Sequence, residues 1–231
     1  MKISNQFYFL LLVLILGSCI ASQSVNLEES LTPIPKTSKE LDIPKYENDL
    51  PYTYWHYCKV KQDQLGLESP ETSTDSLIFR LWITNPIGSK NQPHGLITFR
   101  YDSNSWKGNL YLMHVNFDKR NLKEFITDFK ELELLPTTNW DNVIEKLNEL
   151  KIPDLPTDDH IEGYYDDLSN YNNYAPTFSF EYATSTKYRF FQYSDITRNE
   201  DQFWQPQHVN ALLAFFEEEF EWDTRAREYF Q

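Results

Sequence analysis

Residues 77–85 read LIFRLWITN and alternate throughout, with Leu77, Phe79, Leu81 and Ile83 on one side and Ile78, Arg80, Trp82 and Thr84 on the other. A period of two marks a strand that buries one face and sends polar groups to the other. Two further runs, 96–101 LITFRY and 110–117 LYLMHVNF, follow across PIGSKNQPHG and DSNSWKGN, where Asp102, Asn104 and Gly108 supply turn chemistry. Parallel neighbours need a crossover of a dozen residues or more, so these short connections predict an antiparallel meander.

Around that meander the sequence predicts an α+β domain, a mostly antiparallel sheet with two or three packed helices. NLKEFITDFKEL places Leu122, Phe125, Ile126, Phe129 and Leu132 at helical spacing, although ELELL just after it alternates. A second helix is read from Trp140, Val143, Ile144, Leu147 and Leu150, with Thr138 as N-cap and Pro153 closing it. The last helix has Pro206 in its first turn and Val209, Leu212, Leu213, Phe216 and Phe220 on one face, with Glu217, Glu218 and Glu219 on its wet side. TFSFEYA and KYRFFQY form a hairpin pattern about 184–186, YTYWHYCKVKQ (52–62) reads as a strand or a packed lead-in, and 154–176 reads as a long acidic loop. With 40% hydrophobic and 16% aromatic residues the chain can build a substantial core.

The N-terminus carries the most specific signal. Lys2 precedes an apolar run from Phe7 to Leu16, too short for the roughly 20 residues that span a bilayer, which is the shape of a secretory signal. The run ends in Leu16-Gly17-Ser18-Cys19, which resembles the bacterial lipobox. That resemblance implies cleavage between Ser18 and Cys19, diacylglycerol on the Cys19 thiol, and an acylated (palmitate-type) amino terminus. Two or more acyl chains meet the requirement for stable anchoring. Residues 1–18 are then the signal peptide. Residues 19–51, with Pro33, Pro35, Pro44 and Pro51 and no sustained apolar period, read as a flexible tether, and 52–231 as one globular domain. No acidic run follows Cys19, so the expected location is the outer membrane facing the periplasm, with the membrane as the first partner.

FRLWIT, the W-x2-VI-x2-L helix, FSFEY, KYRFFQYS and the closing helix together resemble exported and lipoprotein domains of bacteria over about 76–221. No activity accompanies that resemblance, so it implies no functional residue.

Candidate chemistry is sparse. A net charge of -14 excludes nucleic acid as a partner, since such binding rests on neutralising phosphates with Lys and Arg. His56 and Cys58 have metal-site spacing but lack the third and fourth ligands zinc needs, and the Asp158–Asp167 segment lacks the calcium-loop pattern, so neither metal nor cofactor is expected. Aromatic side chains outside the core stripes are the candidate ligand-binding residues: Trp106, Tyr164, Tyr165 and Tyr171, with Trp55 and Tyr174 also open to exposure. The leading expectation is a non-enzymatic domain that binds an envelope protein or glycan through its loop face. The other reading is a glycan hydrolase using two carboxylates among Asp158, Asp159, Glu162, Asp166 and Asp167.

Overall fold

The computed structural model describes residues 37–43, 50–85, 94–102, 104–118, 123–165, 175–197 and 200–229. The chain runs β1 (Glu40–Asp42), α1 (Leu50–Gln64), β2 (Leu77–Thr84), β3 (His94–Asp102), β4 (Ser105–Asp118), β5 (Lys123–Glu133), α2 (Trp140–Glu149), two 3-10 turns (Ile152–Asp154 and Asp158–His160), β6 (Thr177–Thr184), β7 (Lys187–Ser194), α3 (Trp204–Phe220) and α4 (Trp222–Tyr229). The strands form one sheet in the order β1-β7-β6-β2-β3-β4-β5. All neighbours are antiparallel except β1 and β7, where Leu41 lies beside Tyr188 in a parallel pair. The fold is α+β with a mostly antiparallel sheet, and the described residues hold four α-helices rather than two or three.

The alternation of β2 sets the two faces. Its register puts Phe79, Leu81 and Ile83 beside Ile97 and Phe99 of β3 and Phe178 and Phe180 of β6. Phe79 stacks on Phe99 at 4.7 Å and Phe180 on Phe191 at 4.9 Å between ring centroids. The stripes of α2 and α3 cover this apolar face through Val143, Leu147, Val209, Leu212, Phe216 and Phe220. Trp140 reaches into the same layer above Gly108, where a Cβ would come within 2.5 Å of the indole, so only glycine permits this approach. Asn139, not Thr138, caps α2, accepting from the Asn142 amide. Thr138 instead bonds Glu219, which is buried and clamps Thr137 and Thr138 rather than facing water.

The opposite face holds Arg80, Trp82, Ser179, Glu181, Tyr188 and Gln192, all buried. Polar groups there require a polar cover. α1 provides it: Trp55, Cys58, Lys59 and Gln62 follow i, i+3, i+4, i+7 spacing and share one buried stripe. Glu181 accepts hydrogen bonds from Trp82 Nε1 (2.8 Å) and Tyr188 Oη (2.9 Å), with Arg80 at 3.5 Å and Lys59 at 3.7 Å. Lys59 also donates to Glu71 and Gln62 at 2.7 Å each, and Gln62 Oε1 accepts from Arg80 at 2.8 Å. Lys61 pairs with Glu124 of β5 at 2.9 Å.

Three expectations change here. Residues 52–62 are helical, and their buried stripe escapes a hydropathy pattern because it includes Lys59 and Gln62. Residues 40–42, read as tether, add a strand to the sheet, while Thr37 and Lys39 bond the 70–71 backbone. Residues 123–133 are a strand, not a helix. The register slips between His114 and Val115, leaving Thr127 as an extra residue in β5. That bulge puts Phe125 and Phe129 on opposite faces and makes a period of two imitate a helical one.

Glu181→Gln leaves Lys59 and Arg80 buried beside a neutral group, and breaking one partner of a buried ion cluster costs about 3–5 kcal/mol. Urea unfolding followed by tryptophan fluorescence is expected to show a loss of that size.

Candidate functional site

The polar face is not fully covered. α1 ends at Gly66, which adopts φ +67° and lets the amides of Leu65, Gly66 and Leu67 close the last turn on Lys61, Asp63 and Gln62 carbonyls. Beyond it, strands β2 to β5 continue and their faces line an open groove of about 350 Å3, within the usual range for ligand sites of about 300–1,000 Å3. Arg80, Thr98, Arg100, Lys107, Asn109, Tyr111 and Glu131 reach it from the strands, and Gly66, Leu67 and Glu68 from the loop.

Register explains the convergence. Arg80 lies opposite Thr98, Thr98 opposite Asn109, and Asn109 and Tyr111 opposite Glu133 and Glu131, so one row of side chains crosses the sheet. Arg80 is fixed by Gln62 and by the Glu68 carbonyl (2.6 Å), while its buried Nε–H has no acceptor. Asn109 Nδ2 and Tyr111 Oη both donate to Glu131 Oε1 at 2.7 Å. Burial and the Glu131 contact push the Tyr111 hydroxyl well above its ordinary range, which keeps it a donor. Arg100 stands 3.4 Å from Glu68 and 3.5 Å from Asp75, and Lys107 2.8 Å from Asp102. The groove therefore presents donors and acceptors side by side, with its charges nearly balanced. A second depression between α2 and α3 is walled by Glu145, Glu149 and Glu218 over Ala211 and Ala214 and is solvated helix surface.

The residues singled out in the sequence fall elsewhere. Trp106 stacks on Trp140 at 5.6 Å at the border of the apolar layer, on the opposite face from the groove. Tyr164 is buried against Tyr193 and Phe203, and Trp55 is buried under α1. Tyr165 is half-buried and donates to Asp158 Oδ2 at 2.6 Å. Tyr171 and Tyr174, and the lipid site Cys19 with Ser18, lie outside the described residues. His56 and Cys58 are two apart on a helix and point to different faces. Burial pushes the Cys58 thiol far up, with the Glu181 charge adding to it, which makes it a poor nucleophile. Among the described residues no group of three His, Cys, Asp or Glu side chains is placed to hold a metal ion, and no helix is long and apolar enough to cross a membrane.

Of the acidic segment, Asp159 and Glu162 are exposed, Asp166 and Asp167 lie outside the described residues, and Asp158 is buried. Asp158 Oδ2 accepts from the Ser194 amide (2.9 Å) and Oδ1 from the Asp159 amide (2.9 Å), pinning this turn to β7. The signal that marks the groove was present in part: the second face of LIFRLWIT carries Arg80, and the same parity leads to Thr98 and Tyr111. Glu131 and Phe129 were hidden by the helical reading of β5. No family model, curated protein or solved structure matches the chain.

Two buried groups give the stability a pH profile. Burial, with Lys61 nearby, pushes His94 down to about 3 from 6.5. The unfolded chain takes up that proton as pH falls through 6.5 and the folded protein does not, so this contribution to stability declines from about pH 6.5 toward 3. Burial pushes Asp158 up to about 7 from 3.8, against the hydrogen bonds from Tyr165 and Ser194. The folded state then holds the extra proton, and this contribution rises as pH falls from about 7 toward 3.8. Urea midpoints between pH 4 and 8 are expected to fall less on acidification in His94→Leu than in the wild type, and more in Asp158→Asn.

Proposed function

We propose that the protein is a lipid-anchored binding domain of the bacterial cell envelope, held through Cys19 at the outer membrane and facing the periplasm, which engages an envelope protein or polymer without transforming it. The anchor is supported by the Leu16-Gly17-Ser18-Cys19 sequence. Binding is supported by one observation, the row of fixed polar side chains that four strands deliver to an open groove. Strand-borne side chains locked by neighbours are preorganised, which lowers the ordering cost of binding. The hydrolase reading would need two carboxylates facing each other across a pocket. Asp158 instead spends both oxygens on backbone amides and Tyr165, which favours binding.

Metabolic labelling with a palmitate analogue is expected to mark the wild type and not Cys19→Ala; equal labelling of both would remove the anchor. Immobilised full-length protein is expected to retain an envelope component that the double variant Arg100→Glu/Lys107→Glu releases, since both side chains are at least two-fifths exposed and their reversal changes the groove without opening the core. Equal retention by the variant would move the binding surface away from the groove.

A further inference from the structure

Resting on that reading, we infer that the groove on the polar sheet face is a saccharide site, in which Phe129 forms the stacking platform and Glu131, Asn109, Thr98 and Arg100 the hydroxyl-binding wall. Phe129 follows the bulge of β5, which turns it to the same face as Tyr111 and Glu131, and its ring lies 6.3 Å from that of Tyr111. It is 42% exposed, and it stands two residues from a groove-lining carboxylate. An exposed aromatic face beside a polar wall matches a pyranose, whose axial C–H groups form an apolar patch and whose hydroxyls ring the edge.

The charge pattern selects among ligands. Arg80, Arg100 and Lys107 are met in and around the groove by Glu68, Glu131, Asp75 and Asp102. A carboxylate or phosphate ligand would face those acids, and a cation would face the bases. A hydroxyl donates and accepts at once, and so suits a wall that offers both. Glu131 Oε1 takes both intramolecular donors, Asn109 and Tyr111, which leaves Oε2 to accept from a ligand hydroxyl. Sites built to bond hydroxyls discriminate strongly against analogues that lack them, because their own polar groups are then left unpaired.

Full-length protein in detergent micelles, applied to an array of neutral, acidic and amino saccharides of bacterial envelopes, is expected to bind neutral sugars above the others. Phe129→Ala and Glu131→Gln are each expected to weaken the best array saccharide at least tenfold in titration calorimetry, with Trp204→Ala, an exposed aromatic on α3 across the sheet, unchanged. Thermal melts of the three variants within a few degrees of the wild type establish that the loss is local. Absence of saccharide binding, binding to charged sugars only, or binding that survives both Phe129→Ala and Glu131→Gln overturns the inference. Should the array be negative while Arg100→Glu/Lys107→Glu still releases the envelope component, the groove binds a non-saccharide partner and the binding reading stands.

Discussion

Glu181 sits at the centre of the sheet with no access to solvent, and much of the molecule is arranged to make that carboxylate tolerable. Burial alone would drive it toward the neutral form, but Lys59, Arg80, Trp82 and Tyr188 hold it below the ordinary carboxylate range. A buried ion of this kind is stable only when its partners satisfy its oxygens, and all four of those partners come from other elements. Lys59 brings α1, and with it Glu71 of the following loop; Arg80 brings Gln62 and the Glu68 carbonyl. One charge thereby fixes the position of α1 on the sheet, the path of the chain after it, and the lip of the groove.

This dependence explains what could be read in the sequence. The apolar face was legible: Leu77, Phe79, Leu81 and Ile83 alternate, the 110–117 run continues them, and the stripes of α2 and α3 show the period expected of helices packed on that face. The polar face was not. A helix that buries Lys59 and Gln62 has no apolar stripe of the usual kind, and only the structure reveals that Lys59 meets Glu181, more than a hundred positions away in the chain, while Gln62 joins Lys59 to Arg80. Similarly, the bulge at Thr127 breaks the parity of β5, so the sequence disguises a strand as a helix and conceals that Phe129 and Glu131 share the face of Tyr111. Glu219 shows the same limit in small: three consecutive glutamates look like solvated surface, yet the segment between β5 and α2 claims the last of them through Thr137 and Thr138.

The two faces also divide the work of the sheet. Stability comes chiefly from the apolar side, where stacked phenylalanines and two helices exclude water. Recognition falls to the other, where the cover is polar and ends early at Gly66. A groove whose floor is anchored by a buried ion network cannot reshape easily, because moving Arg80 disturbs Gln62, Glu68 and Glu181 together. Rigidity of this kind favours a ligand of fixed geometry over an adaptable chain.

The position of the groove next to an edge strand carries a hazard that the same residues contain. Among the described residues β5 is the last strand of the sheet and long enough to recruit another strand, which invites aggregation. Two features oppose it. The bulge at Thr127 interrupts the edge, and Gln64, at the end of α1, turns its side-chain carbonyl onto the Ile126 amide at 2.7 Å, occupying a donor that a neighbouring strand would need. The bulge that blunts the edge is also what rotates Phe129 toward the groove. A single inserted residue in β5 therefore serves both requirements: a register that paired Thr127 with His114 would bring Phe129 opposite Leu112 on the apolar face, whereas the slip keeps it opposite Met113 on the face of Tyr111 and Glu131.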